Sequence, residues 1–202
     1  MGRYEQLFRR SLDDPDGFWG EAAAGIDWVR PPAAVLDASA PPLYRWFPDG
    51  VLNTCHNALD RHVAAGRGDQ LALVYDSPVT GTVRLHSYRE LLDLVARFAG
   101  ALRRLGVRPG DRVVVYLPMV PEAVVAMLAC ARLGAVHSVV FGGFAAPELA
   151  ARIADARPTL IVSASCGIEA SRIVPYKPLF TTTQTKSAPY CAAVAISCPV
   201  IR

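Results

Sequence analysis

Long apolar runs free of charge are missing from this 202-residue chain, although 52% of its residues are hydrophobic. The most apolar stretch, "RVVVYLPMVPEAVVAMLACARLGAVHSVVFGGF" from Arg112 to Phe144, carries Glu122 and Arg132 and is punctuated by Pro118, Pro121, Gly134 and Gly142. A spanning helix needs about 20 consecutive apolar residues, so this stretch is read as the core of a soluble domain, and no membrane partner is expected. Charge is scarce too. Charged residues make up 19% and the net charge is only +3, too little to point to a nucleic-acid partner. The same composition excludes a disordered chain and predicts a sizeable core. The five cysteines, Cys55, Cys130, Cys166, Cys191 and Cys198, are odd in number and lack paired spacing, which argues against a disulfide framework and for a reducing compartment. They form no metal-ligand spacing with His56, His62, His86 or His137; Cys55 and His62 share a predicted helix but lie seven residues apart, two turns rather than one. No metal site is expected. The opening "MGRYEQLFRRSLDDPDGFW" has basic residues but no apolar core behind them, unlike a secretory leader. Gln6 stands where a myristoylation signal has Ser or Thr. These absences predict a cytoplasmic location, or the mitochondrial matrix if a targeting segment precedes the chain.

The punctuated stretch has its own grammar. "VVVYLP" is a β-branched run suited to a strand buried on both faces. "PEAVVAMLACARLG" opens with Pro121 and Glu122 and closes with Arg132 and Gly134, the start and stop signals of a helix with charges matched to its dipole. "AVHSVVFGG" is a second strand. "APELAARIADAR" reads as a helix with Pro147 near its start, and "PTLIVSAS" as a third buried strand. The order β-α-β-α-β from Arg112 to Ser165 predicts an open parallel sheet that binds ligands beyond the carboxyl ends of its strands.

Upstream, "SYRELLDLVARFAGALRRLG" is the clearest helix, with Ser87 and Glu90 as a capping box and Gly106 at its end. The arginines at its C-terminus and in the turn after it, Arg103, Arg104, Arg108 and Arg112, suit a solvated helix end and the turn "VRPGD". "QLALVYDSPVTGTVRLHSY" reads as a hairpin with Pro78 and Gly81 in its connection. "NTCHNALDRHVAAG" reads as a helix capped by Asn53 or Thr54 and closed by Gly66. The first 50 residues read as irregular. "YEQLFRRSL" is one amphipathic helix with Tyr4, Leu7, Phe8 and Leu12 on a face, "DDPDGFW" is a turn, and "RPPAAVLDASAPPLYRWFPDG" is extended. Trp19, Trp28 and Trp46 are aromatic anchors for a segment that wraps over a neighbour. After Pro178 only Lys186 and Arg202 are charged. The tail could hold a short strand at "AAVAIS" but does not read as a continuation of the α/β pattern.

"LPMVPEAVVAMLACARLGAVHSVVFGGF" and "RWFPDGVLNTCHNALDRHV" closely resemble the matching stretches of the short-chain acyl-CoA synthetases, the acetyl- and propionyl-CoA synthetases of the adenylate-forming superfamily. "NTCHNALDRHV" and "FGGFAAPELAARI" look more like the propionyl branch. The resemblance runs from about Tyr4 to Pro178 and fades after "YKPL", as a shifted frame, an alternative exon or an early stop would produce. It implies a family N-terminal segment over 1–66, the start of an AMP-binding domain over 67–178 and a divergent tail over 179–202. The implied architecture is an α/β fold, a partial doubly wound parallel sheet with an irregular wrapping segment, shorter than the family's.

The resemblance also implies a reaction. A carboxylate attacks the α-phosphate of ATP, brought with Mg, to give an acyl-adenylate and pyrophosphate, and the thiol of CoA then displaces AMP. The implied partners are a small carboxylate, ATP and CoA, with self-association or pairing with a full-length synthetase as a further expectation. In the family a glycine pair lines the path of the CoA pantetheine, here Gly142 and Gly143. Bare glycines let a thin ligand approach backbone closely, although a tight strand-to-helix turn needs them equally. An arginine near the CoA nucleotide phosphate is matched by Arg172, whose planar fork suits phosphate. Ser171 stands where glycine is usual, Glu169 where some members have a second arginine, and backbone N–H groups from Glu169 through Ala170 to Ser171 are available to an anion. No catalytic residue is assigned. "TTTQTK" has no glycine to let backbone wrap a phosphate and is rejected as an ATP loop. Neither that loop nor the family's C-terminal lysine is found, so no substrate site is fully encoded and the chain alone is expected to be inactive.

Overall fold

Residues Val113–Leu117 form the most deeply buried segment of the molecule, as their β-branched run predicts. The computed structural model describes residues 2–141, 146–168, 172–176 and 192–196, with backbone alone at 141 and 192–196. The chain divides into two compact units, Met1–Asn57 and Ala58–Arg202.

In the first unit, α1 (Arg3–Asp13) has the expected amphipathic pattern but buries none of its residues; Tyr4 and Phe8 stack on its surface at 6.1 Å. The stretch expected as a turn, "DDPDGFW", instead opens a second helix, α2 (Pro15–Ala23). The Asp14 carboxylate accepts from the Gly17 N–H and Pro15 takes a first-turn position, so the residues that signal a turn are here an N-cap and its proline. The Pro-rich segment is not simply extended either. β1 (Trp28–Arg30) pairs antiparallel with β4 (Val51–Leu52), and β2 (Leu36–Asp37) with β3 (Arg45–Trp46). Rings link these short pairs: Phe18 to Trp19, Trp19 to Trp46, Trp46 to Phe47 and Phe47 to Trp28, all within 6.3 Å. Trp28 donates its indole N–H to the Ala23 carbonyl. Gly50 lies so close to the Trp28 ring that a Cβ there would fall 2.7 Å from it. All three tryptophans are therefore anchors within this unit. Asn53 caps the next helical segment, its Oδ1 accepting from the His56 N–H.

The second unit begins in that segment with two wide π-helical turns, His56–Asp60 and Val63–Arg67, and Gly66 takes the left-handed conformation at φ +79°. The hairpin follows as expected, β5 (Leu71–Ser77) against β6 (Thr82–Ser87), turned at Gly81 with φ +62°. Ser87 then caps α3 (Tyr88–Arg104); its hydroxyl accepts from the Glu90 N–H while the Glu90 carboxylate accepts from the Ser87 N–H. β7 (Arg112–Leu117), α4 (Pro121–Leu133), β8 (Val136–Phe141), α5 (Ala146–Ala156) and β9 (Leu160–Ala164) form the predicted β-α-β-α-β run. Arg112 lies at the end of α5, donating to the Ala156 and Arg157 carbonyls. The Arg132 guanidinium forms a two-pronged pair with Asp60 at 2.8 and 2.9 Å, tying α4 to the first π turn.

A short antiparallel hairpin follows β9, β10 (Cys166–Ile168) with β11 (Ile173–Pro175). Residues 192–196 form β12 (Ala192–Ile196), parallel to β9. This corrects the expectation that the tail leaves the α/β pattern. β9 is buried along its whole length and offers an unpaired backbone edge, and an uncharged, proline-free segment can complete it. The sheet order is β12-β9-β7-β8, all parallel. Right-handed crossovers that lead first to one side of β7 and then to the other place α4 and α5 on opposite faces, which accounts for a strand buried on both. Among the described residues no helix is long and apolar enough to cross a membrane.

Candidate functional site at the carboxyl edge of the sheet

Four parallel strands end at one edge. Leu117 closes β7 and pairs with Phe141 at the end of β8, while Tyr116 pairs with Ser163 of β9. The chain leaves β7 toward β8 on one side and reaches β9 on the other, so the order reverses between β7 and β9. That crevice is where open α/β sheets take ligands. Pro118, Met119 and Val120 extend beyond β7, with Met119 86% exposed. Beyond β9 stand Ser165 and the β10–β11 hairpin.

Arg172 is exposed and immediately precedes β11. Gly142, Gly143, Glu169, Ala170 and Ser171 lie outside the described residues, as does "TTTQTK". The backbone still orders them: the glycine pair follows Phe141 directly, and residues 169–171 connect β10 to Arg172. Arg172 is thus the one of these candidates that lies among the described residues.

Sequence reasoning missed the group beneath the hairpin. The Tyr116 and Tyr176 rings stack with centroids 4.9 Å apart, at 27° between planes. Tyr116 is fully buried and Tyr176 nearly so. A Cβ at Gly167 would meet the Tyr176 Oη, Cζ and Cε1 at 2.8 to 3.1 Å, contacts that real side chains do not make. Tyr176 also donates its backbone N–H to the Ser165 carbonyl, closing the hairpin base. A glycine inside a β-rich run signals close approach to a backbone, and "SCGIEA" offered that signal without naming the partner.

Burial raises the Tyr116 phenol above its ordinary range, so it stays protonated at neutral pH and is no base. The Cys130 thiol is likewise pushed up to about 11 by burial, an inert core thiol rather than a nucleophile. Cys55 and Cys166 are buried as well. Among the described residues no three His, Cys, Asp or Glu side chains cluster as for a metal ion.

Residues 60–194 match a family model described as AMP-binding enzyme, and residues 4–58 one described as acetyl-coenzyme A synthetase N-terminus. The first match runs past Pro178, where the resemblance was expected to fade. The chain is 51% identical over 178 residues to acyl-CoA synthetase short-chain family member 3, mitochondrial, of Mus musculus, covering 88% of this chain and 26% of that protein. It is 49% identical over 176 residues to propionate--CoA ligase of Escherichia coli, covering 87% and 28%. The structure of acetoacetyl-CoA synthetase from Streptomyces lividans superposes with a TM-score of 0.88 at 31% identity, covering 100% of this chain and 31% of that one. The chain thus spans about a quarter of the length of the curated relatives it matches.

Proposed function

Because the chain belongs to the AMP-binding enzyme family, we propose that it is the N-terminal portion of an AMP-forming short-chain acyl-CoA synthetase that joins propionate or acetate to CoA at the expense of ATP. The observation that carries this reading is the 49% identity to propionate--CoA ligase over 176 residues, a span long enough to reach into both compact units. In this reading residues 1–66 are the family's N-terminal segment and 67–178 the start of its AMP-binding domain. Their contribution is scaffold and one wall of the CoA channel: Gly142 and Gly143 leave room for the pantetheine, and Arg172, with the backbone of 169–171, faces the nucleotide phosphates. ATP and its Mg would be gripped elsewhere, and the 202 residues alone do not turn over. The mitochondrial name of one relative suits a matrix location, with the cytoplasm as the other reading.

The test uses the purified chain with ATP, Mg, CoA and either acid. Calorimetry is expected to find CoA binding, and AMP release is expected to be absent. AMP formation would overturn the inactivity, and no heat with CoA would overturn the CoA wall. One observation favours a second reading, association with another copy or with a full-length synthetase: β8 is an edge strand with Val136 and Val139 more than half exposed. Light scattering decides it. An oligomer that Val139→Lys dissociates supports association, and a monodisperse monomer excludes self-association.

A further inference from the structure

The β10–β11 hairpin has three residues on each strand, and two strands of that length are marginal without packing. Cys166, Gly167 and Tyr176 are buried, whereas Arg172, Ile173 and Pro175 are exposed, so the base is held from one side. What holds the base therefore aims the tip. Tyr176 ties the hairpin to the sheet by its ring on Tyr116 of β7, and braces the hairpin itself by its phenol against Gly167 and its backbone on Ser165.

We propose that Tyr176 is a positioning residue, holding the β10–β11 hairpin on β7 so that Arg172 is presented to the phosphates of CoA. The inference rests on the CoA reading above. Arg172 stands four residues from Tyr176, roughly 13 Å along an extended strand. A tilt of about 10° at the base would move the tip by about 2 Å, well beyond the ~0.5 Å tolerance of a preorganised contact. Gly167 belongs to the same device: any side chain there would press on the Tyr176 ring and lift the hairpin.

Calorimetry of the 202-residue chain with CoA tests it in a double-mutant cycle. Arg172→Gln is expected to weaken CoA about tenfold, the scale of one charged hydrogen bond. Tyr176→Leu is expected to weaken it by a similar factor, and Tyr176→Phe, which keeps the ring stack, by less than about twofold. The deciding readout is coupling: in the Tyr176→Leu background, Arg172→Gln should cause no further loss. If Tyr176→Leu does not fold by circular dichroism, Gly167→Ala displaces the same ring and the same coupling is read. Additive losses, or unchanged affinity in folded Tyr176→Leu or Gly167→Ala, would overturn the positioning role while leaving the CoA reading intact. A wild-type chain that binds no CoA, or binds it independently of Arg172, overturns the CoA reading and this inference with it.

Discussion

The two units hold themselves together by different means. Ala58–Arg202 contains a parallel sheet whose central strands β7 and β9 are almost wholly buried, and its stability is that of an apolar core. Met1–Asn57 has almost no such interior; Ala23 and Cys55 are its buried apolar residues, and α1 buries nothing. Its order comes from a relay of aromatic rings, an N-cap at Asp14, the Asn57 side-chain amide exchanging hydrogen bonds with the Asp27 backbone, and carboxylates receiving backbone N–H groups. A core tolerates little change of volume, whereas a surface network tolerates volume and is sensitive to charge.

The largest effect should therefore come from the sheet. Ile161→Ala removes a fully buried side chain from β9 and is expected to cost about 2–5 kcal/mol, read from chemical denaturation by circular dichroism. Leu12→Ala makes a comparable deletion on α1, where the side chain is 64% exposed, and is expected to stay within about 0.5 kcal/mol. Equal losses at the two positions would break the comparison. Between them stands Ser87→Ala, which removes the cap of α3 and leaves its packing intact; about 1 kcal/mol is expected.

What was legible in the sequence follows the same division. Buried parallel strands announce themselves by β-branched runs and their helices by caps, so β7, α4, β8, α5, β9 and the Ser87 box could be read locally. In the first unit local signals were ambiguous. Asp14-Pro15-Asp16-Gly17 suits a turn as well as an N-cap, and the downstream helix decides between them. A short strand at "AAVAIS" could be read locally, but its pairing with β9, some thirty residues back, could not, and the three-residue strands of the β10–β11 hairpin are too short to show a period. At the site, Arg172 came from a resemblance and its support did not. The Tyr116–Tyr176 stack joins residues on separate elements, and only Gly167 hinted that something lay close.

The smallest expected effect is electrostatic and belongs to the first unit. Hydrogen bonds to the Asp37 carboxylate from the Ser39 side chain first, then from the Ser39 N–H and the Arg45 guanidinium, lower its pKa from 3.8 to about 2. A folded-state pKa below the unfolded one means that the folded chain holds its proton less tightly. The contribution is therefore complete above pH 3.8 and is lost as pH falls from there toward 2. Asp49, lowered by the Ala33 N–H, and Glu90 of the α3 cap, lowered by the Ser87 N–H, act in the same direction. Because Trp19, Trp28 and Trp46 all lie in the first unit, tryptophan emission during acid titration reports that unit, while circular dichroism sums the helices of both units, with most of the signal from α3 to α5. Asp37→Asn should flatten the pH dependence of the emission-detected transition between 3.8 and 2 and leave its value near neutrality only slightly lower, since the pair with Arg45 is exposed. An unchanged acid slope in Asp37→Asn would mean that hydrogen bonds to Asp37 do not help hold the β2–β3 pair.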